Sequence, residues 1–168
     1  MKNPYSTIAR EPEGAVIRPN AEQTGCGQLE VNVIYTNPKA TGAALKSAAL
    51  LARDLGARIE LKAVITVPMR LPLDQPPVSV SFLERLLAKL VCQVGQSPCE
   101  PAVHLYVCRD RAETLREILK PNSLVVVGGR NRWWPTAESR MVKMLRSEGH
   151  RVVFVPLGRE RQHELIEI

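Results

Sequence analysis

The stretch Leu29–Val67, LEVNVIYTNPKATGAALKSAALLARDLGARIELKAVITV, decides the fold class, because it combines a strand, a helix and a second strand. Leu29–Thr36 is an apolar, β-branched run that an Asn-Pro pair ends. Thr41–Leu55 repeats apolar residues at helical spacing, and Gly56 is a natural C-terminal stop. Arg58–Val67 is again typical of a strand. Such a unit needs a crossover connection, so its two strands are predicted to be parallel.

The same alternation continues along the chain. A Pro-rich connection, Pro68–Pro77, precedes a helix whose start is predicted from the capping-box pattern Ser81-x-x-Glu84. The next predicted elements are a strand at Ala102–Cys108 and a short helix capped by Asp110. They are followed by a strand at Leu124–Val127 that ends in Gly128-Gly129, a helix that begins at Pro135 or Thr136, and a strand at Val152–Val155. This βαβαβαβαβ pattern predicts an α/β fold, a doubly wound parallel five-stranded sheet in a Rossmann-like three-layer sandwich.

Length and composition fit one domain of 168 residues, with an N-terminal arm or leader at 1–28, the α/β domain at 29–158 and a C-terminal tail at 159–168. No membrane insertion is predicted, because the longest apolar candidate, Val78–Val94, contains Glu84, Arg85 and Lys89. No signal peptide is predicted either. The four cysteines lack metal-ligand spacing and are expected to be reduced thiols, which predicts a cytoplasmic protein.

A resemblance to a known family is carried by two blocks. Leu45–Ile65, LKSAALLARDLGARIELKAVI, is similar to the first helix and second strand of universal stress proteins, and LVVVGGRNR at 124–132, followed by a helix and RVVFV, resembles their second half. The resemblance covers roughly Leu29–Pro156. It implies the strand order 3-2-1-4-5, an adenine nucleotide alpha hydrolase-like sandwich, a ligand at the carboxyl ends of strands 1 and 4, and a homodimer paired through the edge strand Val152–Val155.

The phosphate-binding signature of that family is only partly present. ATP-binding members carry an Asp at the end of the first strand, where this chain has Asn37. Gly128 matches the first glycine of their Gly-x-x-Gly, Asn131 replaces the second, and the later Gly-Ser falls on Glu138-Ser139. Glycines let backbone N–H groups approach a phosphate, and Glu138 would place a negative charge beside it. The sequence therefore predicts weak or undetectable ATP binding.

Binding of another anion or nucleotide stays open. Arg130 and Arg132 would neutralise it from side chains, within a stretch, 128–151, that has six basic and two acidic residues. Two alternatives to ligand binding are that residues 130–132 form a solvated turn and that the glycine pair only allows a tight strand exit. No cofactor is assigned. The candidate nucleotide- or anion-binding residues are Thr36, Asn37, Val64, Gly128, Gly129, Arg130, Asn131, Arg132 and Ser139.

The function that these patterns favour is a universal-stress-protein-like binding or regulatory module. One alternative is a protein-interaction module with a vestigial pocket. Another is a nucleic-acid-associated protein, with Trp133 and Trp134 as a stacking platform, but one Trp pair fits a lid or an interface better, so nucleic acid is not expected. The chain has no P-loop, Gly-x-Ser-x-Gly elbow or His-Glu-x-x-His motif. No enzyme activity is predicted.

Overall fold

Strands and helices alternate along the part of the chain that the computed structural model describes, residues 8–10, 29–93, 101–130 and 136–157. The elements are, in chain order, β1 (Ile8–Arg10), β2 (Glu30–Ile34), α1 (Pro38–Leu55), β3 (Arg58–Thr66), α2 (Val80–Cys92), β4 (Ala102–Cys108), α3 (Arg111–Ile118), β5 (Leu124–Arg130), α4 (Ala137–Ser147) and β6 (Arg151–Leu157). Within these residues, no helix has both the length and the apolar character needed to cross a membrane.

The strands form one parallel sheet in the order β1-β4-β3-β2-β5-β6. The segment from β4 to β6 confirms the predicted order 3-2-1-4-5. An additional strand, β1, lies in the predicted N-terminal arm and pairs with β4. The sequence did not predict it, because three residues are too short to show a period. The strands that follow β2 in the chain, β3 and β4, lie on one side of it, whereas β5 and β6 lie on the other side. The strand order therefore reverses between β2 and β5.

Helices cover both faces of this sheet, because alternate residues of each strand point to opposite sides. Val31 and Val33 of β2 belong to one core cluster with Leu45 of α1 and Leu87 of α2. The next residue of the same strand, Ile34, packs instead in a second cluster, which contains Leu115 of α3 and Leu145 of α4. The result is the predicted three-layer sandwich.

Two helix starts differ from the sequence expectation. Helix α1 begins at Pro38, before the predicted Thr41, because the Asn37 side chain caps it and proline suits the first helical position. The predicted capping box of α2 is wrong. This helix begins at Val80 after Ser79, so Ser81 already lies inside it, and Ser79 makes no side-chain cap. The predicted stop at Gly56 is confirmed, with a left-handed φ of 61°.

Candidate functional site

The predicted site lies at the carboxyl ends of β2 and β5, where the strand order reverses. Thr36 follows β2, and its hydroxyl donates to the carbonyl of Gly128 on β5 at 2.9 Å. Its backbone N–H donates to the hydroxyl of Thr41, a fully buried residue of α1, at 3.1 Å. Thr36 therefore joins β2, β5 and α1 where ligands of doubly wound folds usually bind.

Asn37 occupies the position at which the resemblance places an aspartate. Its backbone is extended, and its side-chain oxygen accepts from the N–H of Ala40 at 3.0 Å. This is an N-cap, which satisfies one of the free N–H groups of the first turn. The Asn37 side chain thus begins α1, and the described contacts leave it directed at the helix.

Gly128 and Gly129 are parts of β5, which extends to Arg130 instead of ending at the predicted Val127. Neither has a positive φ, and both lie within β5 rather than at its end. A Cβ at Gly128 would overlap the carbonyl of Ala40, which explains this glycine by the close approach of α1. A Cβ at Gly129 would lie 2.9 Å from the Phe154 ring and 3.1 Å from the Cβ of Glu138.

Val64 lies on the part of β3 that extends beyond β2. The last register pair of these strands is Ile34 with Lys62, and the Lys62 carbonyl accepts from the N–H of Tyr35 at 2.9 Å. Because backbone groups of a strand alternate in direction, those of Val64 point toward the same side, past the end of β2. Its side chain is buried in the core beneath α3 and α4.

The remaining predicted residues lie near the start of α4. Thr136 caps this helix by accepting from the Ser139 N–H at 3.1 Å, and the Ser139 hydroxyl donates to the Thr136 carbonyl at 2.9 Å. Arg130 is exposed at the end of β5. Asn131 and Arg132 lie outside the described residues, as do Trp133 and Trp134.

Arg111, the first residue of α3, reaches the predicted site, although the sequence analysis did not name it. Its Nη2 donates to the carbonyl of Tyr35, just beyond the end of β2, at 2.7 Å. Burial is the larger effect and lowers the pKa of Arg111 below its usual value, although nearby Cys108 and Glu138 act in the opposite direction. The available signal was a cation in the first turn of a helix, where the helix dipole disfavours positive charge.

No group of three or more His, Cys, Asp or Glu residues within the described ranges is arranged to hold a metal ion. A cavity of about 230 Å³ lies between the first turn of α1 and helix α2. Its lining residues are Pro38, Lys39, Leu86, Lys89, Leu90 and Gln93.

Comparison with known structures decides the fold. A universal stress protein from Archaeoglobus fulgidus matches with a TM-score of 0.56 and 16% identity, over 75% of this chain and 92% of the other. The chain has the fold of the universal stress proteins. The A. fulgidus protein in complex with dAMP matches with a TM-score of 0.54 and 14% identity, over 75% of this chain and 96% of the other.

A universal stress protein in complex with cAMP has a TM-score of 0.52 and 14% identity to this chain, over 77% of this chain and 98% of the other. No family model matches the chain, and no curated protein sequence matches it. At these identities the similarity shows the universal stress protein fold.

Proposed function

We propose that the protein is a universal-stress-protein-like binding module of regulatory type, which takes a nucleotide or another anionic ligand at the carboxyl ends of β2 and β5. The observation that carries this proposal is the convergence of Thr36, the Val64 backbone and the Arg111 guanidinium at the reversal of strand order. Two solved proteins of the same fold hold dAMP and cAMP, which supports a nucleotide as the ligand class.

The described contacts argue against ATP bound through the glycine signature. The close packing against Ala40 explains why position 128 is glycine, and the capping of α1 explains why position 37 is asparagine. Glu138 lies in the first turn of α4 beside Gly129, where its carboxylate would repel the phosphates of ATP. We therefore expect ATP to bind weakly or not detectably.

We propose binding without catalysis, since the sequence carries no motif for a nucleophile with its base. Mass spectrometry of small molecules released from protein purified without added nucleotide tests the binding function. A stoichiometric phosphate-bearing compound is the expected result. Protein that releases no anionic compound, and to which AMP, ATP and inorganic phosphate do not bind at millimolar concentration, would contradict the proposal.

A protein-interaction function is the second candidate, favoured by the position of β6. This strand lies at the edge of the sheet, and Val153 on it is 37% exposed. An apolar edge strand presents unpaired backbone groups that a second copy would satisfy by pairing. We therefore propose a homodimer through Val152–Val155.

Light scattering tests this homodimer. The expected mass is about twice the 18.7 kDa of the chain, and Val153→Asp should return it to that of the monomer. Val153 is a better test position than Phe154, whose ring packs against Gly129 and into the core. A monomer at tens of micromolar would overturn the pairing.

A further inference from the structure

Arg111 is held firmly at the predicted crevice. The Asp110 side chain accepts from the N–H groups of Ala112 and Glu113, at 2.7 and 3.1 Å, and so fixes the start of α3. The Nη2 of Arg111 then reaches the Tyr35 carbonyl. Helices α3 and α4 cover the same face of the sheet, and Glu138 in the first turn of α4 lies near enough to act electrostatically on Arg111.

This half-buried guanidinium has only part of its hydrogen-bonding capacity satisfied. Its Nε is buried and has no hydrogen-bond partner. The ion pairs formed between described residues involve other side chains, so no carboxylate of the described ranges forms an ion pair with Arg111. A buried donor without an acceptor destabilises a fold unless something else binds it.

The negative charge of Glu138 restricts which anionic ligand can bind to Arg111. Glu138 lies in the first turn of α4, beside Gly129, and its charge acts on Arg111 without forming an ion pair. One guanidinium favours one compact oxyanion, because its planar fork donates two parallel hydrogen bonds. A chain of phosphates would bring further negative charge toward Glu138.

We propose that Arg111 is the anion-binding group of the crevice and that it selects a ligand with a single phosphate, such as a nucleoside monophosphate, over a triphosphate. This inference rests on the proposed binding function and names its ligand class. Arg111 takes the role that backbone N–H groups of a glycine loop would otherwise have.

Calorimetric titration of AMP, ATP and adenosine into the full-length protein, in phosphate-free buffer, tests the assignment. We expect AMP to bind more tightly than ATP or adenosine. Arg111→Gln should weaken AMP binding by about 10- to 100-fold, the usual range for loss of charge-assisted hydrogen bonds. Adenosine binding should be unchanged in this variant, because adenosine has no phosphate.

Arg109→Gln is the matched control. Arg109 also donates to strand-end carbonyls, those of Val67 and Pro68, at 3.1 and 2.6 Å, but at the end of β3. Its loss should leave AMP affinity unchanged. Arg111→Lys keeps the charge without the fork, and should lose about tenfold in AMP affinity. It keeps the test decisive if thermal melts show that Arg111→Gln does not fold.

The possible failures are distinguishable. If folded Arg111→Gln, or Arg111→Lys, binds AMP as tightly as the wild-type protein does, the role of Arg111 is overturned. The proposed binding function would then still stand. Tighter binding of ATP than of AMP would overturn the preference for one phosphate. No binding of AMP, ATP or inorganic phosphate to the wild-type protein would overturn both this inference and the proposed function.

Discussion

The junctions β2–α1 and β4–α3 both open onto the crevice, but their polar groups are used differently. At β2–α1 the side chains of Thr36, Asn37 and Thr41 all have partners within the fold. At β4–α3 the Arg111 guanidinium keeps a buried nitrogen without one. The polar side chains at the first junction are thus all hydrogen-bonded within the fold, whereas the Arg111 guanidinium at the second keeps one nitrogen without a hydrogen-bond partner. The anion-binding group that we propose is therefore the one that the fold leaves partly unsatisfied.

Gly128→Ala should break the β2–α1 junction and have the largest effect. The added Cβ would overlap the backbone carbonyl of Ala40, so α1 must move away from β5. We expect a loss of about 3 kcal/mol or more in the free energy of unfolding, measured by chemical denaturation. Stability unchanged within error would show that Gly128 is not required for this packing.

Gly42→Ala is the control for that substitution. Gly42 lies within α1, and a Cβ there would only touch Leu90 at 3.9 Å. Replacing a helical glycine by alanine should raise the free energy of unfolding by about 0.5 to 1 kcal/mol. A large loss in this variant would mean that α1 tolerates no change of any kind, and the Gly128 result would lose its meaning.

Substitution of the two capping residues should show that both junctions contribute to stability but that only the β4–α3 junction affects AMP binding. Asn37→Ala and Asp110→Ala each remove an N-cap and should each lower the free energy of unfolding by about 1 kcal/mol. Only Asp110→Ala should also weaken AMP binding, because Asp110 fixes the helix start that carries Arg111. Equal AMP affinity in the two variants would remove the distinction drawn between the junctions.

Glu138→Gln should have the smallest effect and sharpen the account of ligand charge. Removing this negative charge should raise ATP affinity about threefold, a size typical of partly screened charge pairs. AMP affinity should change less, since AMP carries fewer charges. Parallel calorimetric titrations measure the ratio. An unchanged or lower ATP affinity would show that Glu138 does not oppose the phosphates.

Periodic, local features were predictable from the sequence. The helical spacing in Thr41–Leu55, the stop at Gly56 and the caps Asp110 and Thr136 are set by neighbouring residues, and the structure confirms them. The alternation of elements, with the family resemblance, also gave the order of the main strands.

Features that depend on distant contacts were not predictable. The strand β1 is short and is held by pairing with β4. The extension of β5 through Gly128 to Arg130 follows from its pairing with Val155–Leu157 of β6, and the glycine at 128 from the approach of α1, about ninety residues earlier in the chain. Arg111 reaches the predicted crevice only because folding brings α3 to the end of β2. A capping pattern at Ser81 was misleading because nothing local showed that Val80 is already helical.

The location of the ligand is the central claim, and amide chemical shifts during an AMP titration test it most directly. The account predicts that the largest perturbations fall on Thr36, Val64, Arg111 and Ser139, around the carboxyl ends of β2 and β5. Val153 on β6 and Leu86 in the α1–α2 cavity should remain unperturbed. Perturbations centred on either of those two residues, or none at millimolar AMP, would contradict it.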